Sequence, residues 1–287
     1  MKYEFIREYR SEHSVVLMCK VLGVSRSGYY AWVTHVPGDR AKANGELLHH
    51  IQSCYRDARG VYGSPRVHQE LLRRGIGCGR NRVARLMHQH GIVAKQMRRY
   101  RRTTCAKAGA QYAPDRLQRQ FEATRPHEIW TSDMTYIWTD EGWLYLAIIL
   151  DVYSRSIVGW ATDTRINAAL VSKALTGALW RTSPKGTIIL HSDRGSQYTS
   201  TLLRNTMASY QPGMVPSHGL SCYDNAITES FFHTLKSESI TDHHLQSRSQ
   251  AHSLLFDYIE VFYNRHRLHS ALGYRPPIEV LSEALAA

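Results

Sequence analysis

Residues 129–150 restrict the folds open to this chain more than any other stretch. Ile129–Trp138, IWTSDMTYIW, alternates with the period of a strand. Trp130, Met134, Tyr136 and Trp138 fall on one face, and Thr131, Asp133 and Thr135 on the other. Three residues on, Gly142–Leu150 is apolar at nearly every position, the pattern of a central strand covered on both sides. Its longest apolar run, LYLAIIL, is too short to cross a bilayer. DVYSR reads as a turn, and Ser156–Thr162 as a third strand. Asn167 opens an amphipathic helix through Trp180, and Thr187–Leu190 is a fourth strand running directly into His191, Ser192 and Asp193. Gly195 offers a sharp turn just beyond. A helix over YDNAITESFF and a longer one over Ser249–Tyr263 follow, then the tail NRHRLHSALGYRPP. Three strands, a helix, a strand and more helices predict a mixed α/β layered domain.

The first 120 residues differ in charge from the rest. Residues 1–120 hold 23 Lys/Arg against 8 Asp/Glu, whereas residues 121–287 hold 13 against 16. All of the net charge of +12 therefore comes from the N-terminal part, as expected of a polyanion-binding arm joined to a domain with another task. The first residues, MKYEFIREYRSEH, are charged and carry no apolar signal core, which leads us to expect a cytoplasmic protein. Five widely spaced cysteines without a CxxC argue against a disulfide framework, and no His/Cys set has zinc-finger spacing.

Within the basic part, residues 14–32 suggest two short helices, the first ended by Gly23 and the second opened by Ser25. Tyr62–Gly91 is more specific. Ser64 and Pro65 suit the start of a helix carrying an apolar stripe of Val67, Leu71 and Leu72. Gly75 and Gly77 break it, and a second helix over Arg80–His90 turns Val83, Leu86 and Met87 inward. Arg80, Arg82, Arg85 and Gln89 are candidates for DNA contact, the latter three on a face from which an arginine and a glutamine reach base edges. An ordinary helical hairpin with a solvated basic face fits the same residues. The run KQMRRYRR adds Lys95, Arg98, Arg99, Arg101 and Arg102 as candidate phosphate contacts.

Three carboxylates stand out in the second half: Asp133 in mid-strand, Asp193 at the end of the fourth strand, and Glu229 on a helix, with 35 residues between the last two. A first strand lying centrally beside the fourth brings the two aspartates together. Paired Mg²⁺ ions need such shared oxygen ligands. Glu229 and Lys236 lie seven residues apart, two helical turns, on one helix face with Phe231, Phe232 and Leu235 free to face a core. Alone, that pair is no more than a weak surface ion pair. Asp151 reads as a turn residue, and Asp224 and Asn225 as caps of the Glu229 helix. Trp130, Trp143 and Trp160 read as core. His191 reads as packed or hydrogen-bonded. Arg265, Arg267 and His269 fit either DNA contact or anchoring of the tail.

WTSDMTYI, LAIILDVYSRSIVGW, HSDRGSQYTS, YDNAITESFFHTLK and YNRHRLHSALGYRPP occur in this order, and together they resemble insertion-element transposases of the IS-three family, specifically the catalytic subunit from the second reading frame. The resemblance covers nearly the whole chain, including YGSPRVHQEL. It implies an RNase H-like mixed sheet flanked by helices, the retroviral-integrase-like catalytic core, preceded by an all-α helix-turn-helix region. It divides the chain into an N-terminal helical region (1–43), a helix-turn-helix-like DNA-binding region with its basic run (44–102), a linker (103–120), and a catalytic core with C-terminal helix and tail (121–287). It implies that Asp133, Asp193 and Glu229 are the catalytic, metal-binding set, with Mg²⁺ as cofactor and Mn²⁺ able to substitute. Lys236 matches the basic residue associated with the DNA end. The implied activity is cleavage and transfer of DNA strands, with double-stranded DNA (element ends and target) as partner, a homo-oligomer on DNA, and no membrane. In the family an upstream reading frame supplies a further helix-turn-helix and a leucine zipper. This chain has no sustained heptads, so a partner subunit or fusion is expected. A same-fold nuclease that cuts without joining, and a non-catalytic DNA-binding regulator, are the rival readings.

Overall fold

The computed structural model describes residues 1–34, 38–95, 113–118, 120–210, 213–219 and 225–286. Three short helices come first: α1 (Lys2–Glu8), α2 (Val15–Val21) and α3 (Arg26–Val33), packed around Ile6, Met18, Cys19 and Tyr29. Gly23, with φ of +62°, ends α2, and the Ser25 side chain accepts from Gly28 N at the start of α3. Helix α4 (Asp39–Asp57) runs straight through the expected boundary at residue 43. It packs on α5 (Ser64–Arg73) and α6 (Arg80–Gln89), which meet across a turn containing Gly75 at φ +75°. Val67, Leu71, Val83, Leu86 and Met87 are buried between them. Leu72 departs from the expected stripe and is 44% exposed, because Leu71 already occupies the inward position of that turn.

The second half is a five-stranded sheet in the order β3-β2-β1-β4-β5, formed by β1 (Ile129–Thr139), β2 (Gly142–Asp151), β3 (Ile157–Asp163), β4 (Ile188–Ser192) and β5 (Met214–His218). β1–β2–β3 form an antiparallel meander, while β4 and β5 run parallel to β1. The first strand thus does lie beside the fourth. Helix α7 (Ala168–Thr182), capped by the Asn167 side chain, covers one face with α8 (Thr201–Tyr210). Trp130, Ala147, Ile149, Val158, Leu170 and Leu175 share that core. The approach of α7 to β3 is close enough to require Gly159, where a Cβ would stand 2.4 Å from Ala174 O.

The other face carries α9 (Ala226–Leu235), which continues as a π-helical segment over Lys236–Ile240. It also carries α10 (Arg248–Phe256), which continues as a second π-helical segment over Asp257–Tyr263. Phe231, Phe232 and Leu235 are buried there as expected. This core has no seam at the helical region: Leu146 and Ile148 of β2, Phe231 of α9, Phe262, and Ile51, Val67 and Val83 of the helical unit belong to one continuous cluster.

The tail locks that arrangement. Tyr62 donates its hydroxyl to His266 O at 3.0 Å and accepts from Leu268 N at 2.8 Å, and Arg66 Nε donates to Leu268 O. Arg73 pairs with Glu279 of α11 (Pro277–Ala286), Arg59 with Asp257, and Lys95 with Asp242. Asn264 bonds both the N–H and the carbonyl of Ile157. Arg267, 3% exposed, forms a bidentate pair with Glu238 at 2.7 and 2.8 Å. Burial and the neighbouring arginines push His269 down to about 3, so it stays neutral and accepts from Arg267 Nη1 at 3.2 Å. Arg267 and His269 therefore anchor the tail, and only Arg265 of that trio is exposed.

Candidate active site

Asp133 projects from the middle of β1 toward the face covered by α9, in register with Ile148 of the core on that side. The parallel ladder pairs Thr131 with His191, so Asp193, the first residue after β4, lies alongside Asp133 two steps further on. Helix α9 is pinned over this point. Asn225 Nδ2 donates to Ser132 O at 3.1 Å, and the Thr228 hydroxyl donates to Asn225 Oδ1 at 2.6 Å and stands 2.9 Å from the Thr131 hydroxyl. Asn225 occupies the N-cap position, yet its side chain makes no cap bond; it serves as this clamp instead. Glu229 follows Thr228 directly and lies at the solvent-facing rim. Asp224 lies outside the described residues.

Asp133 is electrostatically coupled to both other carboxylates. Asp133 is raised to about 8, first by burial, then by the Asp193 carboxylate, with Glu229 adding to the rise. The Met134 N–H and the Lys236 ammonium oppose it. Asp133 Oδ1 accepts from Met134 N at 2.7 Å, and Asp193 Oδ1 from Gly195 N at 2.9 Å. Gly195 has an ordinary φ; what it supplies is space, since a Cβ there would stand 3.0 Å from Asp193 Oδ1. Among the described residues, no three His, Cys, Asp or Glu side chains stand close enough together to hold a metal ion as they lie. In donor chemistry the set does fit a hard divalent cation: Asp133, Asp193 and Glu229 offer only carboxylate oxygens, and the repulsion that the other two exert on the half-buried Asp133 favours a cation among them.

Lys236 begins the first π-helical segment. Its Nζ lies 4.9 Å from the centre of the Tyr136 ring. Burial lowers its basicity, while Tyr136 and Asp133 act in the other direction. Glu229 and Lys236 thus both act on Asp133, with opposite sign.

Several supporting residues carry no sequence signal of their own. Buried Tyr198 meets the Ser132 hydroxyl at 3.1 Å behind the aspartates. Its phenol is raised far above its ordinary value by burial, then by Asp133 and Asp193. Ser192 Oγ stands 3.1 Å from His218 Nδ1 and donates to Asp193 O. His191 is fully buried, with Nδ1 3.0 Å from Ser217 Oγ. Asp151 is a buried turn anchor, accepting from His127 N, Ser154 N and the Ser154 hydroxyl. Trp143 does not join the core. It is 42% exposed, because beyond Thr135 the aromatic face of the β1–β2 hairpin emerges into solvent. Trp130 is fully buried, and Trp160 is half-buried with Nε1 donating to Glu260.

Of the candidate DNA contacts, Arg80, Arg85 and Gln89 are exposed on α6, together with Asn81 and His88. Arg82 is half-buried and donates to Asn44 Oδ1 at 2.8 Å. Lys95 is engaged by Asp242 and by Glu238 O. Arg98, Arg99, Arg101 and Arg102 lie outside the described residues.

The sequence matches an integrase core domain over residues 123–217 and again over 214–277, and an HTH-like domain over 42–100. The fold and these matches define an integrase-core protein with a helical unit ahead of its sheet. The transposase InsF for insertion sequence IS3A of Escherichia coli (strain K12) is 36% identical over the full length of both chains. An uncharacterized 31 kDa protein of insertion element IS600 from Shigella sonnei is 44% identical over 91% of this chain and 96% of that one. The chain belongs to the IS3 family of insertion-sequence transposases. Among solved structures, the HTLV-2 integrase catalytic core domain in complex with magnesium aligns over 55% of this chain and 99% of that one, at 14% identity and a TM-score of 0.42.

Proposed function

We propose that the chain cleaves and joins DNA strands at the ends of its insertion element, with Asp133, Asp193 and Glu229 holding Mg²⁺, for which Mn²⁺ substitutes. The observation that carries this reading is the placement of Asp133 in mid-β1 beside Asp193 at the end of β4 and under α9, which bears Glu229, with both carboxylates raising the proton affinity of the half-buried Asp133. A divalent cation bound there supplies Lewis-acid activation of the phosphodiester and of the attacking oxygen. The remaining work falls to the chain. The Asn225–Thr228 clamp fixes α9 over β1 and so sets where Glu229 meets the aspartates. Gly195 leaves room beside Asp193, and Lys236 offsets phosphate charge next to the carboxylates. The exposed face of α6, with Arg85 and Gln89, reads duplex DNA, and the basic excess of residues 1–120 binds its backbone. The chain acts as an oligomer on DNA, together with the upstream-frame subunit.

The test is incubation of the chain, alone and with that subunit, with plasmid carrying the element ends and Mg²⁺ or Mn²⁺. Metal-dependent nicking and joining that disappear in Glu229→Gln are expected. Nicking without joined products would make the chain a nuclease. DNA binding without any metal-dependent cleavage, even with the partner supplied, would make it a regulator.

A further inference from the structure

The tip of the β1–β2 hairpin carries more exposed aromatic surface than a hairpin needs. Trp138 and Trp143 face each other across the strands, 58% and 42% exposed, with ring centres 4.8 Å apart and planes at 74°. Tyr136 meets the Trp143 ring edge-on at 5.0 Å. Cross-strand packing of these rings stabilises the hairpin, but β-branched pairs do so as well without leaving two indoles in water. Each end of the group carries a cation. Lys236 Nζ lies over Tyr136, and Arg248 Nε donates to Trp143 O at 3.2 Å. The acidic residues of the turn are already engaged, Asp140 by His244 and Glu141 by Arg248 N.

Position links this patch to the carboxylates. Asp133 and Tyr136 point to opposite faces of β1, but the ladder to β4 ends at Thr131, which leaves that edge of β1 without a neighbouring strand. Lys236 reaches both, acting electrostatically on Asp133 while lying over Tyr136. At about 3.3 Å per residue, Tyr136 and Trp138 lie roughly 10 and 17 Å along the strand from Asp133. Stacked nucleotides rise about 3.4 Å each, so the patch stands about three to five nucleotides from the carboxylates.

We infer that Tyr136, Trp138 and Trp143, flanked by Lys236 and Arg248, form a platform on which unpaired bases beside the reacting DNA strand stack. Flat π surfaces interleaved with cations are the chemistry that single-stranded nucleic acid requires, and stacking tolerates any base. The inference rests on reading the carboxylates as the strand-cleaving site.

The test compares, in EDTA, the affinity of the full chain for a blunt duplex and for the same duplex with a single-stranded extension of about five nucleotides. Working without metal separates it from catalysis. The extension is expected to tighten binding about tenfold. Trp138→Ala should abolish that gain while leaving blunt-duplex affinity within about twofold, and Trp138→Phe should restore most of it. Thermal unfolding of each variant identifies a folding defect, against which Trp138→Phe stands as the folded control. Absence of any gain in the wild type overturns the platform, whether or not the plasmid assay shows joining. So does an equal loss on both DNAs in Trp138→Ala. Loss of self-association in sedimentation, with DNA affinities unchanged, would instead make the patch a contact between copies of the chain. Conversely, a preserved extension effect with no metal-dependent cleavage would leave the platform standing and remove the proposed activity.

Discussion

Replacing Glu238 by alanine should be among the most damaging single changes in this chain, although Glu238 is not one of the candidate catalytic residues. Its carboxylate receives two charge-assisted bonds from Arg267, at 2.7 and 2.8 Å, and a third from the Tyr258 hydroxyl at 2.8 Å. The side chains are 3% and 7% exposed. Arg267 stays charged without its partner, since its pairing with Glu238 only reinforces a group that never deprotonates in this range. Glu238→Ala therefore leaves an uncompensated buried guanidinium, which costs about 3–5 kcal/mol. For a chain of this size that corresponds to a fall in Tm of roughly 6–20 °C. The loss should change little between low and high salt, because the pair is shielded from the solvent ions that weaken surface pairs. Removing both charges with Glu238→Leu and Arg267→Met should recover most of the stability. Urea unfolding of the two single variants and the double variant yields the coupling energy directly. A cost for Glu238→Ala below about 1 kcal/mol, or a double variant as unstable as the sum of the singles, would refute the argument. Because Glu238 shares the π-helical segment with Lys236, the loss should also disturb the placing of Lys236 beside Asp133.

Asp133→Asn should stabilise the metal-free chain. The folded carboxyl holds its proton up to about pH 8, whereas the unfolded one loses it near its ordinary value, so wild-type stability in EDTA should fall as pH rises through that window. The variant, which cannot ionise, should lose less over that window and gain about 4 kcal/mol at neutral pH, as read by Tm from pH 5 to 8. Gly159→Ala should cost about 1–3 kcal/mol or more in urea unfolding, because its methyl group would meet Ala174 O and Ala178 on α7. Affinity for duplex DNA should drop by about 10³–10⁵ between low and moderate salt if six to ten phosphates are met. Arg85→Ala should weaken sequence discrimination more than overall binding, as competition titrations would show.

Much of the fold was legible because its signals are local. The apolar run of β2, the Asn167 cap of α7 and the inward triplet of Val83, Leu86 and Met87 each state their own environment. β5 escaped notice because MVPSH is short and contains Pro216, which reads against a strand. The sheet tolerates it because β5 is an edge strand that needs bonds on one side only. The inward placing of Trp143 failed for a related reason. Alternation shows which residues share a face, but not where the covering helix stops. Around the carboxylates, residue type and spacing singled out Asp133, Asp193 and Glu229. The clamp of Asn225, Thr228 and Ser132 remained hidden, since hydroxyls and amides are common and their pairing spans more than ninety residues. The tail left two readings open, and burial of Arg267 against Glu238 decided between them.

The continuous core between the helical unit and the sheet bears on how such elements diversify. Ile51, Val67 and Val83 share one apolar cluster with Ile148 and Phe262, and Tyr62 completes the hydrogen bonding of the tail. A helical unit borrowed from another lineage would arrive without the matching contact surface and leave that cluster open. If α6 reads the element ends as proposed, recognition of new ends should evolve by point changes on its outer face, at Asn81, Arg85, His88 and Gln89, rather than by exchange of modules.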